Sequence, residues 1–374
     1  MRRRGALLLT MLCLAVVPLL AGCGVGTGGV EPPALAPGAT PRPRPAGFFL
    51  TPPPSTPGPV VFPRDDGPHA DLTEWWYYTG HLVAGDGGRY GFEFVVFQIE
   101  RGDRPPTYAA HFAVTDLATR SFHYEERTQA AGQPASAPGT ANLVVGGWTL
   151  LETGGSAHIR ASMAGYALDL TLDPTKPPAL HNGGYFEYAP GSGSYYYSRT
   201  RQDVHGTLTV AGQLTAVTGV AWMDHQWGNF LVAGAGQGGW DWFSIQLSDD
   251  RELMLWHTRD AAGRVVYGLG TLVAADGSTR TLRASEFTVA ATGSWTSPHS
   301  GTTYPSGWIV TVPGQQLRLT LTLVIPDQEL STPRSTGVTY WEGDVDVSGQ
   351  SAGQSITGQS YVELTGYAPP PGPP

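Results

Sequence analysis

Leu317-Arg318-Leu319-Thr320-Leu321-Thr322-Leu323 sets a leucine at every second position with a polar residue between, the period of a strand with one buried and one wet face. A helix cannot sort these residues, because its 3.6-residue turn would scatter the leucines around the axis. The same period of two recurs at 92–99, 108–114, 167–172, 253–258, 269–273, 308–312 and 361–364. Gly-Asp, Gly-Gly and Asp-Gly pairs at 85–88 and 276–277 punctuate these runs like hairpin turns. No segment shows the apolar period of an amphipathic helix. Many short strands at regular spacing predict an all-β chain, a sandwich or an antiparallel barrel, and barrels of this kind commonly hold apolar ligands.

The ends of the chain read differently. Arg2-Arg3-Arg4 followed by the apolar run 7–20 has the layout of a secretory signal, and that run is too short to span a bilayer comfortably. It ends in Leu20-Ala21-Gly22-Cys23, which has the look of a bacterial lipobox: residues 1–22 are removed and Cys23 carries the lipid. The expectation is an extracytoplasmic lipoprotein of the cell envelope, held on a membrane surface without crossing it. An ordinary signal peptide with a chance cysteine is the alternative. Residues 23–59, rich in Pro, Gly, Ala and Thr, form a tether of about 35 Å if it behaves as a flexible coil. Two domains at 60–230 and 231–367 and an unstructured tail at 368–374 complete the expected organisation.

With Cys13 in the discarded leader and Cys23 committed to lipid, no cysteine is left for a disulfide, a thiolate metal site or a nucleophile. Burial must therefore supply the stability. The net charge of −9 argues against nucleic acid as a partner, which a basic face would be needed to hold.

Two segments echo each other. Phe92-Glu93-Phe94-Val95-Val96-Phe97-Gln98 and Trp240-Asp241-Trp242-Phe243-Ser244-Ile245-Gln246 share the order aromatic, acid, aromatic, apolar, any, apolar, Gln, as two related β-domains would. In period two Glu93 shares a face with Val95 and Phe97, and Asp241 with Phe243 and Ile245. Such a carboxyl is either buried, with a raised pKa that suits a general acid, or a strand-end group in water, and one with a partner cation is only structural. Glu93 reads as the strand-end case; Asp241 stays open between the two.

Cofactor motifs are missing: no His-Glu-x-x-His, no phosphate-cradling Gly-x4-Gly-Lys, no dinucleotide fingerprint. Gly349-Gln350-Ser351-Ala352-Gly353 fits the Gly-x-Ser-x-Gly elbow, but β-like flanks on both sides make it a hairpin loop. Two tryptophan-rich segments remain. Glu74-Trp75-Trp76-Tyr77-Tyr78 alternates rings to opposite faces, with Glu74 a polar contact or a strand-end acceptor. In Trp222-Met223-Asp224-His225-Gln226-Trp227-Gly228, Asp224 and His225 read as a hydrogen-bonded unit that moves a proton or orients water, or as a His satisfied by backbone. A metal would need further ligands from His111 or His257, so no metal and no cofactor is expected.

These segments carry a resemblance. Glu74-Trp75-Trp76-Tyr77-Tyr78-Thr79-Gly80-His81-Leu82, His111-Phe112-Ala113-Val114-Thr115-Asp116, the Trp222–Gly228 segment and Gly358-Gln359-Ser360-Tyr361-Val362-Glu363-Leu364-Thr365-Gly366-Tyr367 resemble the carotenoid 1,2-hydratase (hydroxyneurosporene synthase) family and its secreted AttH-like relatives, over roughly residues 63–367. The resemblance implies two tandem lipocalin-like antiparallel β-barrels with a ligand pocket near their junction. It also implies catalytic roles for the His and Trp of Asp-His-x-Trp-Gly, here His225 and Trp227. The family's downstream Tyr-x-Asp is replaced by Trp240-Asp241-Trp242, so the acid is displaced or absent.

The resulting expectation is cofactor-free hydration or isomerisation of an isoprenoid-like alkene. Asp241 would protonate the double bond, Trp227 and Trp240 would stabilise the cation, and His225 with Asp224 would deprotonate water. Glu74, Trp76, Tyr78, Gln98, Trp240, Trp242 and Gln246 would line the ligand site. The rival expectation is a non-catalytic carrier of a hydrophobic molecule, or an accessory lipoprotein of an ABC-type exporter.

Overall fold

The leucines of the 317–323 stretch are buried to Leu321 while Arg318, Thr320 and Thr322 face solvent, so the alternation read from the sequence is the alternation of the folded strand. The structure, a computed structural model, describes residues 57–101, 104–130, 132–189, 192–230 and 238–368. The leader, Cys23, nearly all of the tether and residues 369–374 lie outside the described residues.

The first sheet is built from β1 (Thr73–Ala84), β2 (Arg89–Arg101), β3 (Arg104–Asp116), β4 (Ser121–Ala130), β5 (Thr140–Val145), β6 (Trp148–Thr153), β7 (Ser156–Met163), β8 (Tyr166–Pro174), β9 (Ala179–Ala189), β10 (Ser192–Val210) and β11 (Gln213–Gly228). Its order is β4-β3-β2-β1-β11-β10-β8-β7-β6-β5, with β9 on β10. The second sheet holds β12 (Gly239–Leu247), β13 (Glu252–Arg259), β14 (Val265–Val273), β15 (Thr279–Arg283) and β16 (Thr288–Ala291). After a small hairpin, β17 (Ser294–Thr296) and β18 (Thr303–Pro305), it continues with β19 (Trp308–Val312), β20 (Leu317–Leu323), β21 (Glu329–Thr332), β22 (Val338–Ser351) and β23 (Gln354–Leu364). Its order is β15-β14-β13-β12-β23-β22-β20-β19-β16, with β21 on β22.

Both sheets are antiparallel, lipocalin-like and barrel-like. Nearly all strands of the first contribute to one core that includes Trp76, Phe94, Phe112, Trp148, Leu170 and Trp227, which requires the sheet to curl. Neither barrel is laddered shut, because the edge strands β4 and β5, and β15 and β16, are not hydrogen-bonded partners. The Ser351 segment is the hairpin between β22 and β23, with Ala352 and Gly353 at φ 49° and 79°, the left-handed pair that a tight two-residue turn needs.

Each sheet pairs its first strand with its last, β1 with β11 and β12 with β23. The registers match: Tyr77 lies opposite Asp224 and Thr79 opposite Trp222, while Trp242 lies opposite Glu363 and Ser244 opposite Tyr361. The equivalent segments are therefore Trp75-Trp76-Tyr77-Tyr78-Thr79 with Trp240-Asp241-Trp242-Phe243-Ser244, and Thr218-Gly219 through Asp224 with Thr357-Gly358 through Glu363. The 92–98 echo is corrected by this topology, since it compares the second strand of one sheet with the first strand of the other.

The two sheets pack through a third apolar cluster that contains Tyr77, Val95, Tyr196, Trp222, Trp242 and Tyr361. Gly91 on β2 lets them approach: a Cβ there would press on the Tyr361 hydroxyl and lie 3.0 Å from Asp344 Cβ. Gly91→Val should cost about 1–3 kcal/mol by overpacking this contact. Urea unfolding checks it, and an unchanged midpoint would mean that the sheets have slack there.

Candidate active site

Alternation along β11 sends neighbours to opposite faces. Trp222 joins the cluster between the sheets, whereas Met223 and Trp227 join the core of the first barrel. Asp224 and His225 are parted in the same way. The expected Asp224–His225 unit therefore does not form, for the reason that adjacent strand residues cannot share a face.

Asp224 points between the sheets. It accepts a hydrogen bond from Trp222 Nε1 at 2.6 Å and others from the Tyr196 and Ser198 hydroxyls. Burial raises its pKa to about 7 against the pull of these donors. Trp242 Nε1 reaches the Tyr196 hydroxyl at 2.9 Å, which ties the second sheet to the group. Behind them His181 bridges Ser198 Oγ (2.6 Å) and Thr271 Oγ1 (2.8 Å), and burial drives its pKa down to about 3, so it is neutral.

Three more carboxyl groups meet here. Glu342 and Glu363 are direct cross-strand partners on β22 and β23, and Glu93 comes from β2 of the other sheet. Tyr340 donates to Glu93 Oε1 at 2.8 Å, Tyr77 to Glu342 Oε1 at 2.7 Å, and Trp240 Nε1 to Glu363 Oε2 at 2.9 Å. Glu93 Oε2 and Glu342 Oε2 are buried with no partner. Among the described residues no lysine or arginine forms an ion pair with any of the three.

Like charges cannot crowd a dry site without taking up protons. Desolvation, with Glu363 adding repulsion, lifts Glu93 to about 8. Desolvation followed by repulsion from Glu93 and Glu363 lifts Glu342 well above the carboxylate range. Glu363, which keeps part of its surface exposed, is raised to about 7, chiefly by desolvation. Near neutral pH the three glutamates thus comprise two neutral acids and one carboxyl close to its midpoint, with Asp224 close to its own. Partly exposed Trp75, Phe97, Trp240 and Trp256 flank this region.

A pH dependence of stability follows. Folding keeps a proton on Glu93 between its ordinary value of 4.5 and about 8, so its contribution is full at the acidic end and is lost as pH rises. His111 and His181 work in the opposite sense, because folding holds them neutral down to about 3 and their contribution is lost as pH falls below 6.5. Between pH 6.5 and 8 only the first effect acts. Unfolding free energy should fall there by about 1.4 kcal/mol per pH unit for each such carboxyl. Urea titrations across that window check this, and a flat profile would contradict it.

The residues singled out from the sequence divide into three groups. Asp224, Trp240, Trp242 and Gln246 face the region between the sheets, where Gln246 donates to the Thr200 and Ala221 carbonyls. Glu74, Trp76, Tyr78, Gln98, His225 and Trp227 lie inside the first barrel. There Trp76 stacks on His225 at 4.7 Å and Tyr78 donates to Glu152. Asp241 belongs to neither group: Arg259 Nε pairs with it at 3.0 Å and the Tyr367 hydroxyl donates to it at 3.0 Å. That is the structural arrangement of a carboxyl with a partner cation, which does not suit Asp241 to the proton-donor role expected of it. Glu93, read as a strand-end group in water, is 1% exposed, because the second sheet covers its face.

Glu342, Tyr340 and His181 carry no local signal. Glu363 does, since Thr357-Gly358-x-x-Tyr361-x-Glu363 repeats Thr218-Gly219-x-x-Trp222-x-Asp224. His111 bonds to Tyr340 and Ser335, and His257 stacks on Phe287, so neither approaches His225 as a third ligand. A surface depression of about 350 Å³ lined by Trp148, Leu168 and Leu214 lies away from all of these groups.

Comparison with known proteins places this geometry. The AttH-like family profile matches residues 53–367. A crystal structure of a protein assigned as AttH from Nitrosomonas europaea is 29% identical, with a TM-score of 0.75 over 84% of this chain and 99% of that one. Kievitone hydratase from Nectria haematococca shares the fold at 21% identity and a TM-score of 0.64, over 79% of this chain and 89% of its own. CghA shares it at 13% and 0.52, over 86% and 97%. No curated protein matches the sequence. With a family profile spanning both sheets, and both sheets reproduced in an AttH structure, the chain belongs to the AttH-like family.

Proposed function

We propose that this protein is a cofactor-free acid–base catalyst of the hydratase type, acting on an alkene-bearing apolar small molecule held between the two sheets. The observation that carries the reading is the group Glu93, Glu342 and Glu363, buried together without a cation and with two oxygens left free of partners. Burial of this kind costs stability and is concentrated at functional sites, and pKa values pushed apart in one place divide acid from base. A neutral Glu93 or Glu342 gives its proton to the alkene, water adds to the resulting cation, and the Glu363 carboxylate takes the proton that water loses. One water is added, and proton exchange among the three carboxyls resets the site. The faces of Tyr77 and Trp242 suit the intermediate cation. The name of kievitone hydratase, whose fold the chain shares, points the same way.

A lipid on Cys23 belongs to this reading, because a membrane is where such a substrate dissolves. The test is mass spectrometry of extracts from the native host before and after incubation with the purified protein. A product differing from its precursor by one water, formed by wild type and lost in Glu93→Gln, supports the proposal. A ligand recovered unaltered with both proteins would overturn it in favour of a carrier serving an exporter.

A further inference from the structure

The geometry points to a divalent metal site of the zinc class in the mouth of the first barrel, formed by His69, Glu74 and His225. Glu74 Oε1 lies 2.7 Å from His69 Nδ1 and 2.7 Å from His225 Nε2, and one ligand atom from each residue falls within 4.8 Å of the others. Two imidazoles and a carboxylate are a donor set for zinc and its neighbours, with a fourth position left for water.

The surrounding hydrogen bonds prepare the ligands. Tyr197 donates its hydroxyl proton to Asp66 at 2.8 Å, so its oxygen can only accept from His225 Nδ1 at 3.2 Å. That makes His225 Nδ1 a donor and leaves Nε2 as the ring nitrogen turned to the Glu74 carboxylate. Either a proton or a metal ion can occupy the position between that nitrogen and the carboxylate oxygen. The other oxygen of Glu74 is held by the His69 backbone N–H (2.8 Å) and by Gln98 Nε2 (3.2 Å), and the His69 ring is fixed by a parallel stack on Trp227 at 4.1 Å. The other ring nitrogen of His69, Nε2, faces Asp65 Oδ1 at 3.5 Å, as in a carboxylate–His–metal arrangement.

A tetrahedral ion needs the two N···O contacts to widen to about 3.3 Å. His69 can yield this, since it sits outside the strands with 19% of its side chain exposed, which is also a route for the ion. Separation in the chain hides the set, as His225 follows Glu74 by 151 residues.

The experiment strips the purified protein with chelator and titrates it with zinc chloride by calorimetry, and with cobalt(II) by visible absorption. One zinc per chain and the d–d bands of tetrahedral cobalt are expected. His69→Ala, which leaves the β1–β11 ladder hydrogen bonds in place, should weaken zinc at least about tenfold. Glu93→Gln should leave zinc affinity unchanged, which separates this site from the acid cluster. No zinc heat and no cobalt bands in the folded wild type would overturn the inference, as would unchanged affinity in His69→Ala.

Discussion

Glu93→Gln should lower turnover by about 10²–10⁴-fold, the range of a lost general acid, in a protein that still folds. The amide keeps the size of the side chain and an oxygen for Tyr340 to donate to, so the hydrogen bond at that end survives. What it removes is a proton that burial holds on the carboxyl up to about pH 8. The wild-type rate should rise as Glu363 ionises through about pH 7 and fall as Glu93 ionises through about pH 8, a narrow bell. Glu363→Gln should remove the rising limb and leave the falling one. Single-turnover rates on the substrate recovered from the host decide this. Full activity in both Glu93→Gln and Glu342→Gln would take proton donation away from the cluster.

Arg199→Met should destabilise the first barrel by about 3–5 kcal/mol, the cost of stranding buried carboxylates. Arg199 is 6% exposed and its Nη2 lies 2.7 Å from Asp66 Oδ1, with its Nε 3.6 Å from Glu152 Oε1. Tyr197 and Tyr78 donate to the same two acids at 2.8 and 2.6 Å. Burial already raises Glu152 to about 7, with the guanidinium working against it. Without Arg199 that carboxyl can stay buried only by keeping its proton. The loss should therefore be smaller at pH 5 than at pH 8, and Glu152→Gln in the Arg199→Met background should recover part of it. Urea unfolding at both pH values measures this; a loss below about 1 kcal/mol would show that water reaches the pair.

Much of this molecule is legible without coordinates. Alternation in 317–323 and in the other apolar runs names the strands and even their buried faces, because pleating makes side-chain direction a local property. Turn chemistry does the same for Ser351, whose two following residues adopt the left-handed conformation of a hairpin. Legibility fails where the same local pattern fits two surroundings. Glu93 among Phe92, Phe94 and Val95 reads alike whether its face meets water or a second sheet, and only the docking of β2 against β22 and β23 chooses burial. Asp241 looks like a better acid until Arg259 arrives from the neighbouring strand.

By itself the sequence determined the all-β class and the family motifs, the Asp224-His225 segment among them. Which of those two faces the second sheet, and which turns inward to Glu74 and His69, only the tertiary structure decided. Strand faces follow from contacts two residues apart, whereas register, sheet docking and the meeting of Glu93 with Glu342 and Glu363 depend on partners about 250 residues away, whose free energy no local window contains.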